Sequence, residues 1–249
     1  VVIRAIVRPP GDSYPQALAR LEPAPPVDLA LARQQHAIYE DALRACGLDV
    51  IALPPDPDHP DAVFVQDPVV IANGRAIVTR SATEVRRGEA AALVEVLEPH
   101  LPVIELQPPA TLDGGDVLIA DRRLYVGLSA RSNRAACDQL AHITAWPAEG
   151  IRVPGDLLHL LSGCTYLGDG RLLVTSSLAD AFPHFERVIV PDAEAPAANV
   201  LIAGRHAIVP AGYPHTASLL RQSGFEIHLV EMSEFEKRDG GVTCSSLLF

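Results

Sequence analysis

Four times along this chain an apolar segment runs into a tight turn and back out into another apolar segment. The phrases are Val69–Arg80, Val117–Val126, Thr165–Thr175 and Asn199–Val209. Asn73-Gly74 and Asp169-Gly170 sit at two of the turns, and both dipeptides supply the positive φ angles that tight hairpins demand. Counted from 73, 121, 169 and 203, the turns are spaced by 48, 48 and 34 residues. A recurring unit of this size folds as a ring or array, because each unit buries its apolar face against the next. Segments with helical periodicity lie between the hairpins: Asp28–Cys46, stopped by Gly47, then Glu84–Leu97, Ser132–His142 and Thr216–Ser223. A fifth unit has to draw on both ends of the chain, strands at 245–249 and 1–7, which brings the termini together and closes the circle. The expectation is an α/β fold: a single domain over residues 1–249, arranged as an α/β propeller of five modules with a pseudo-fivefold repeat and loops meeting at its centre. An ordinary mixed α/β sheet is the alternative.

Charge narrows the partners. Acids outnumber bases 31 to 20, for a net charge of −11. That field repels a phosphate backbone or an anionic membrane surface and suits a small cationic ligand. Nucleic acid and membrane are therefore not expected as partners, and no apolar run approaches the roughly 20 residues a spanning helix needs. Residues 1–8 alternate like a strand and lack the regions of a signal peptide. Cys46, Cys137, Cys164 and Cys244 are widely spaced, with no C-x-x-C pair, so neither a zinc knuckle nor a thioredoxin-type site is indicated. Free thiols and a cytoplasmic location are expected.

Four loop segments carry the residue types of catalysis. In Asp239-Gly240-Gly241-Val242-Thr243-Cys244, a double glycine precedes one thiol and a short terminal strand. The glycines allow backbone shapes that other residues resist, and the turn could hold the thiol rigidly. A nucleophilic thiol needs a base and an acid that orients it. His159, in the apolar, strand-like run Leu157–Leu161, offers the base; a satisfied core histidine is the other reading. Asp113, beside Gly114-Gly115-Asp116, could orient the imidazole as carboxylates do in triads, or serve a turn. Asp61 and Asp67 precede a strand at an even spacing, which on an extended segment puts both carboxylates on one face. Such a pair suits a guanidinium or ammonium group; the alternative is acids capping local backbone.

Taken together, these segments resemble the dimethylarginine dimethylaminohydrolases, members of the guanidine-modifying superfamily with the five-bladed pentein fold. The resemblance runs from the first strand to the last residue. It is carried by Phe64-Val65-Gln66-Asp67, Leu112–Leu118, Val126–Asn133, His159–Ser162, Met232–Lys237, Asp239-Gly240 and Thr243-Cys244. It implies Cys244 as nucleophile, His159 as general acid/base and Asp113 as the residue orienting it. It implies that Asp61 and Asp67 grip the substrate guanidinium, with Gln66 beside them where many relatives carry glutamate. Arg86 and Arg131 fall where the family holds the α-carboxylate. Leu18 matches a residue of an N-terminal lid, and Asp239 and the backbone at Arg238 fall near the α-amino group. The implied reaction converts asymmetric dimethylarginine and monomethylarginine to citrulline plus the methylated amine, with no metal and no cofactor. Another guanidine hydrolase, such as an arginine deiminase, and a non-catalytic guanidinium-binding propeller are the rival readings. A homodimer is left open.

Overall fold

The computed structural model describes residues 3–249, so Val1 and Val2 of the expected first strand lie outside the described residues. Its fifteen strands form five three-stranded sheets, all built to one plan. A hairpin supplies two antiparallel strands, and a third strand returns parallel to the hairpin's second. β3 (Val69–Ala72), β4 (Arg75–Val78) and β5 (Val103–Glu105) make one sheet; β6 (Val117–Ala120), β7 (Arg123–Leu128) and β8 (Ala148–Arg152) make the next. β9 (Cys164–Gly168), β10 (Arg171–Val174) and β11 (Glu186–Ile189) follow, then β12 (Leu201–Ala203), β13 (His206–Pro210) and β14 (Glu226–Val230). In the fifth, β15 (Leu247–Leu248) pairs antiparallel with β1 (Arg4–Val7), and β2 (Asp49–Ala52) pairs parallel on its other side.

The turn chemistry explains the hairpins. Asn73 and Gly74 both have positive φ, 46° and 68°, as do Asp169 and Gly170 at 52° and 71°. The Asp121–Arg122 turn forces the same backbone on two residues with side chains, at 48° and 60°. The parallel third strand requires a crossover. In four units it contains a helix: α1 (Leu29–Ala45), α2 (Ala91–Leu97), α3 (Arg134–Thr144) and α4 (Pro214–Gln222). In the β9–β11 unit it holds only a 3-10 turn, Ala179–Ala181. A short helix α5 (Ser233–Glu236) follows β14. Asp28 caps α1 by accepting the Leu31 N–H at 3.0 Å, and Asn133 caps α3 by accepting the Ala136 N–H at 3.1 Å. Each such cap is worth about 1 kcal/mol.

One expected helix is interrupted. Glu84–Leu97 breaks into a 3-10 turn, Glu84–Arg86, and the shorter α2. Gly88 falls in the break, where it weakens helix propagation, and Arg86 and Glu89 are both drawn into the interior.

The chain divides into two compact units. The first combines Val1–Gln66 with Val200–Phe249; its core gathers Tyr14, Tyr39, Leu43, Phe64, Ile208 and Phe235. The second is the contiguous stretch Asp67–Asn199, with one apolar cluster around Leu112, Leu124 and Leu140 and another around Leu160, Leu172 and Phe182. Among the described residues no helix is long and apolar enough to cross a membrane.

Candidate active site

The second unit holds a buried group of ionisable side chains. Asp67, Arg86, Glu89, Asp113, Asp116 and His159 are all less than 8% exposed. Such burial is costly unless the charges are paired and hydrogen-bonded, and here they are. Arg86 meets Glu89 in a fork: Nε to Oε1 at 2.9 Å and Nη2 to Oε2 at 2.8 Å. Its Nη1 donates to Asp67 Oδ2 at 2.9 Å. Asp67 is fixed further by the Gly115 N–H, 3.0 Å from Oδ1. Asp113 Oδ2 lies 3.4 Å from His159 Nε2, 3.3 Å from Arg131 Nη1 and 3.9 Å from Arg86 Nη1. Asp116 stands behind the histidine segment, accepting the Leu160 N–H at 2.9 Å and the hydroxyls of Ser129 and Ser132 at 2.7 and 2.6 Å.

These contacts set the protonation preferences. Burial alone would lower the His159 pKa, but the carboxylates of Asp67, Asp113 and Asp116 outweigh it and hold the value above that of ordinary imidazole. Burial would raise Asp113; its bond to His159 and the charge of Arg86 prevail and hold it below the usual carboxylate range. For Asp116 burial prevails over His159 and the two serines, and its pKa is raised. The glycine pair has a steric purpose. A Cβ on Gly115 would stand 2.7 Å from His159 Nδ1 and 3.0 Å from Asp67 Oδ1, so a side chain there would push the imidazole out of place.

His159 does not lie in a strand, contrary to its apolar surroundings. It caps the 3-10 turn Leu160–Ser162, and its N–H donates to the Ser162 hydroxyl at 3.3 Å. The apolar residues around it face the core because the turn packs under β6 and β9, so periodicity could not separate the two cases.

The first unit holds the thiol. Cys244 sits in the 3-10 turn Thr243–Ser245, just before β15. The Gly241 N–H donates to its sulfur at 3.4 Å, and its carbonyl accepts the Gln66 N–H at 3.2 Å. The Thr243 hydroxyl donates to Gln66 Oε1 at 3.0 Å, so the glutamine carbonyl is tied into the cysteine turn. The double glycine works differently from the sequence expectation. Neither Gly240 nor Gly241 has positive φ; the residue that does is Asp239, at 55°. Gly240 is needed for closeness, because a Cβ there would fall 2.7 Å from Phe64 Cζ.

Asp61 is buried in the 3-10 turn Pro60–Val63 and accepts the Leu18 N–H at 3.2 Å on Oδ1 and 3.3 Å on Oδ2. The extended segment assumed for Asp61 and Asp67 is therefore corrected: the chain coils after Pro60, and parity along a strand does not apply. Asp239 accepts from the Arg20 N–H at 2.7 Å and from Arg20 Nε at 3.1 Å. The buried Arg238 side chain donates to the carbonyls of Pro15 at 2.7 Å and Pro25 at 2.8 Å, holding the loop that carries Leu18. Leu18 itself is 38% exposed.

Arg86 was expected to hold a substrate carboxylate. The structure instead commits its guanidinium to Glu89 and Asp67, and neither a solvated helix face nor an outward-facing cation describes it. Sequence reasoning missed Glu89, Asp116 and the two serines as organisers of the site. The three-residue spacing of Arg86 and Glu89 was a signal for their pairing, but nothing in the sequence marked that turn as buried.

A family model described as eukaryotic N,N dimethylarginine dimethylhydrolase matches residues 25–148. The N(G),N(G)-dimethylarginine dimethylaminohydrolase of Pseudomonas aeruginosa is 35% identical over 98% of both chains. The chain belongs to the dimethylarginine dimethylaminohydrolase family. It is a hydrolase of that family. The enzyme of the same name from Streptomyces coelicolor is 38% identical over 98% of this chain and 96% of its own length. A cysteine-to-serine mutant of the Pseudomonas protein, complexed with citrulline, has a TM-score of 0.94 at 33% identity, with both chains fully covered. The α/β fold of five three-stranded sheets is thus the fold of the dimethylargininases.

Proposed function

We propose that this chain hydrolyses asymmetric dimethylarginine and monomethylarginine to citrulline and the free dimethyl- or methylamine, with the five sheets closed as a five-bladed propeller around the substrate. The observation that carries the reading is the His159–Asp113–Asp67 cluster, buried and paired with Arg86, in a chain of this family. The Cys244 thiolate attacks the guanidinium carbon, forming a C–S bond and a tetrahedral adduct. His159, whose proton is held by three carboxylates, delivers it to the departing amine as the C–N bond breaks, leaving an S-alkyl thiouronium. His159 then takes a proton from water as the water oxygen bonds to the same carbon. Collapse breaks the C–S bond and releases citrulline. Asp113 keeps the imidazole oriented and its charged form favoured, a contribution of roughly 100- to 10,000-fold for acid–base catalysis as a whole.

Asp61 and Asp67 are the anions for the substrate guanidinium. In this reading Asp67 exchanges one guanidinium for another: Arg86 leaves and the substrate takes its place. Glu89 makes that exchange affordable in charge terms, because its two oxygens keep Arg86 paired. Arg131 takes the α-carboxylate, with Arg86 the second cation available to it once released. Leu18 covers the ligand, while Asp239 and the backbone at Arg238 receive the α-amino group. Gln66 contributes no charge, so the substrate cation relies on the two aspartates.

A panel of asymmetric dimethylarginine, monomethylarginine, arginine and agmatine, read as citrulline or ureido product, tests the assignment. Methylated arginines are expected to turn over fastest; faster turnover of free arginine would overturn it. Mass spectrometry of quenched enzyme should find the adduct on Cys244, and Cys244→Ser should abolish turnover while retaining binding.

A further inference from the structure

A second group of ligand-type side chains lies in the first unit, outside the machinery above. We propose that Cys46, His206 and His228, with Glu226 as the fourth donor, form a binding site for a divalent cation of the zinc class. The three side chains each offer one ligand atom, and these atoms lie within 4.8 Å of one another.

The fold puts them there. β13 and β14 are parallel, with His206 opposite Glu226 and Ile208 opposite His228. In a parallel pair, opposed residues share a face, and so do residues two apart along a strand. His206, Glu226 and His228 therefore project from the same side of the sheet. α1 packs across that side, and Cys46 is the residue on which it ends. Gly47, at φ 80°, then turns the chain away.

The distances suit a small borderline cation. His206 Nδ1 and His228 Nε2 are 3.1 Å apart. A tetrahedral zinc ion with N ligands at about 2.0–2.1 Å and sulfur at about 2.3 Å needs N···N edges of about 3.3 Å and N···S edges of about 3.6 Å. The histidine pair needs only to open slightly, and the thiol, within 4.8 Å of the other ligand atoms, to close in by about 1.2 Å at most. Glu226 Oε2 is 3.7 Å from His206 Nδ1, within a side-chain rotation of coordinating. It currently pairs with Arg205 at 3.0 Å, on an exposed surface where such a pair is easily given up. Cys46 is half-buried, and the His206 side chain retains 18% exposure, so an ion can reach both.

Donor chemistry narrows the ligand. One thiolate, two imidazoles and a carboxylate match zinc and its neighbours and disfavour magnesium or calcium, which take oxygen. Burial first, and the charge of Glu226 second, push the Cys46 thiol up to about 11, so it carries its proton until a cation replaces it. Binding breaks the S–H bond, forms the S–metal bond and releases that proton to solvent. Of the two imidazoles, the one that donates across the 3.1 Å contact shifts its proton to its own outer ring nitrogen, the other already carrying its proton there, so that His206 Nδ1 and His228 Nε2 both face the ion unprotonated.

Cobalt(II) is the probe, titrated into full-length Cys244→Ser protein so that the catalytic thiol cannot contribute. A thiolate-to-cobalt charge-transfer band in the near ultraviolet, saturating at about one equivalent and bleached by added zinc, is expected. In the Cys46→Ser, Cys244→Ser double variant the band should vanish. In the His228→Ala, Cys244→Ser variant the affinity should fall at least about ten-fold. Absence of the band in folded Cys244→Ser protein overturns the site. So does a band that survives loss of Cys46, or an affinity indifferent to loss of His228.

Discussion

Glu89 illustrates how one side chain can decide the state of several others. Its carboxylate takes two nitrogens of Arg86 and leaves only Nη1 for Asp67. Removing one partner of a buried pair strands the other, at a cost of about 3–5 kcal/mol. Glu89→Ala should lose stability of that order in a urea titration. It should also weaken substrate binding, because an Arg86 deprived of its fork has only Asp67 to lean on. A KM rising together with the drop in stability is the expected pattern; an unchanged midpoint would show that the burial carries no energy. Asp113 allows a test with a sign. The raised His159 pKa means that its contribution to stability is fully present below about 6.5, its unfolded value, and is lost as pH rises through the folded value. Asp113→Asn removes one of the anions responsible. The His159 titration, followed by its ring proton resonances, should move to lower pH, and the pH limb of kcat that reports it should move with it. An unshifted titration would assign the elevation to Asp67 and Asp116 alone.

At the scale of elements, the hairpins were written plainly in the sequence and the third strands were not. The Asn73-Gly74 and Asp169-Gly170 turns, flanked by branched apolar residues, can do little but fold back, and the two phrases without such a dipeptide, turning at Asp121-Arg122 and Gly204-Arg205, fold back as well. β5 and β8 carry no such mark: Val103–Glu105 is three residues long, and Ala148–Arg152 has a central glycine. They become strands because a crossover delivers them to an open edge, which is a tertiary cause. The same division runs through the site. His159 and Asp113, each with an ordinary structural reading when taken alone, were linked by the family resemblance, and the structure brings them to 3.4 Å of each other. The pairing of Arg86 with Glu89, and the 3-10 turns at Asp61 and His159, depend on burial that local sequence does not encode. The hairpin at Asp121–Arg122 is the element most open to improvement. Arg122 is exposed and sits at φ 60°, where a side chain costs roughly 1–2 kcal/mol. Arg122→Gly should raise thermal stability by a few tenths to about 1 kcal/mol after the extra freedom glycine gives the unfolded chain is deducted. Calorimetry measures it; a destabilised variant would mean that the arginine side chain contributes more than its backbone costs.

Over the whole molecule, the two units differ in how their chain is laid out. The first is assembled from segments at opposite ends of the sequence, and its fifth sheet requires β15 beside β1. The second is contiguous from Asp67 to Asn199, with three complete sheets and two apolar clusters of its own. Every partner that fixes His159 in the contacts above, namely Asp67, Asp113, Asp116 and the turn at Leu160, belongs to that stretch. A contiguous segment with its own core needs no distant loop closure before its contacts form. A fragment of residues 67–199 is therefore expected to fold alone, with a cooperative denaturant transition and a His159 titration still raised above ordinary imidazole. The complementary piece 1–66 lacks β15 and most of its core partners and should stay unfolded by itself. A fragment 67–199 that is folded but titrates like free histidine would show that the charge cluster needs the other unit. One without a cooperative transition would show that the three sheets do.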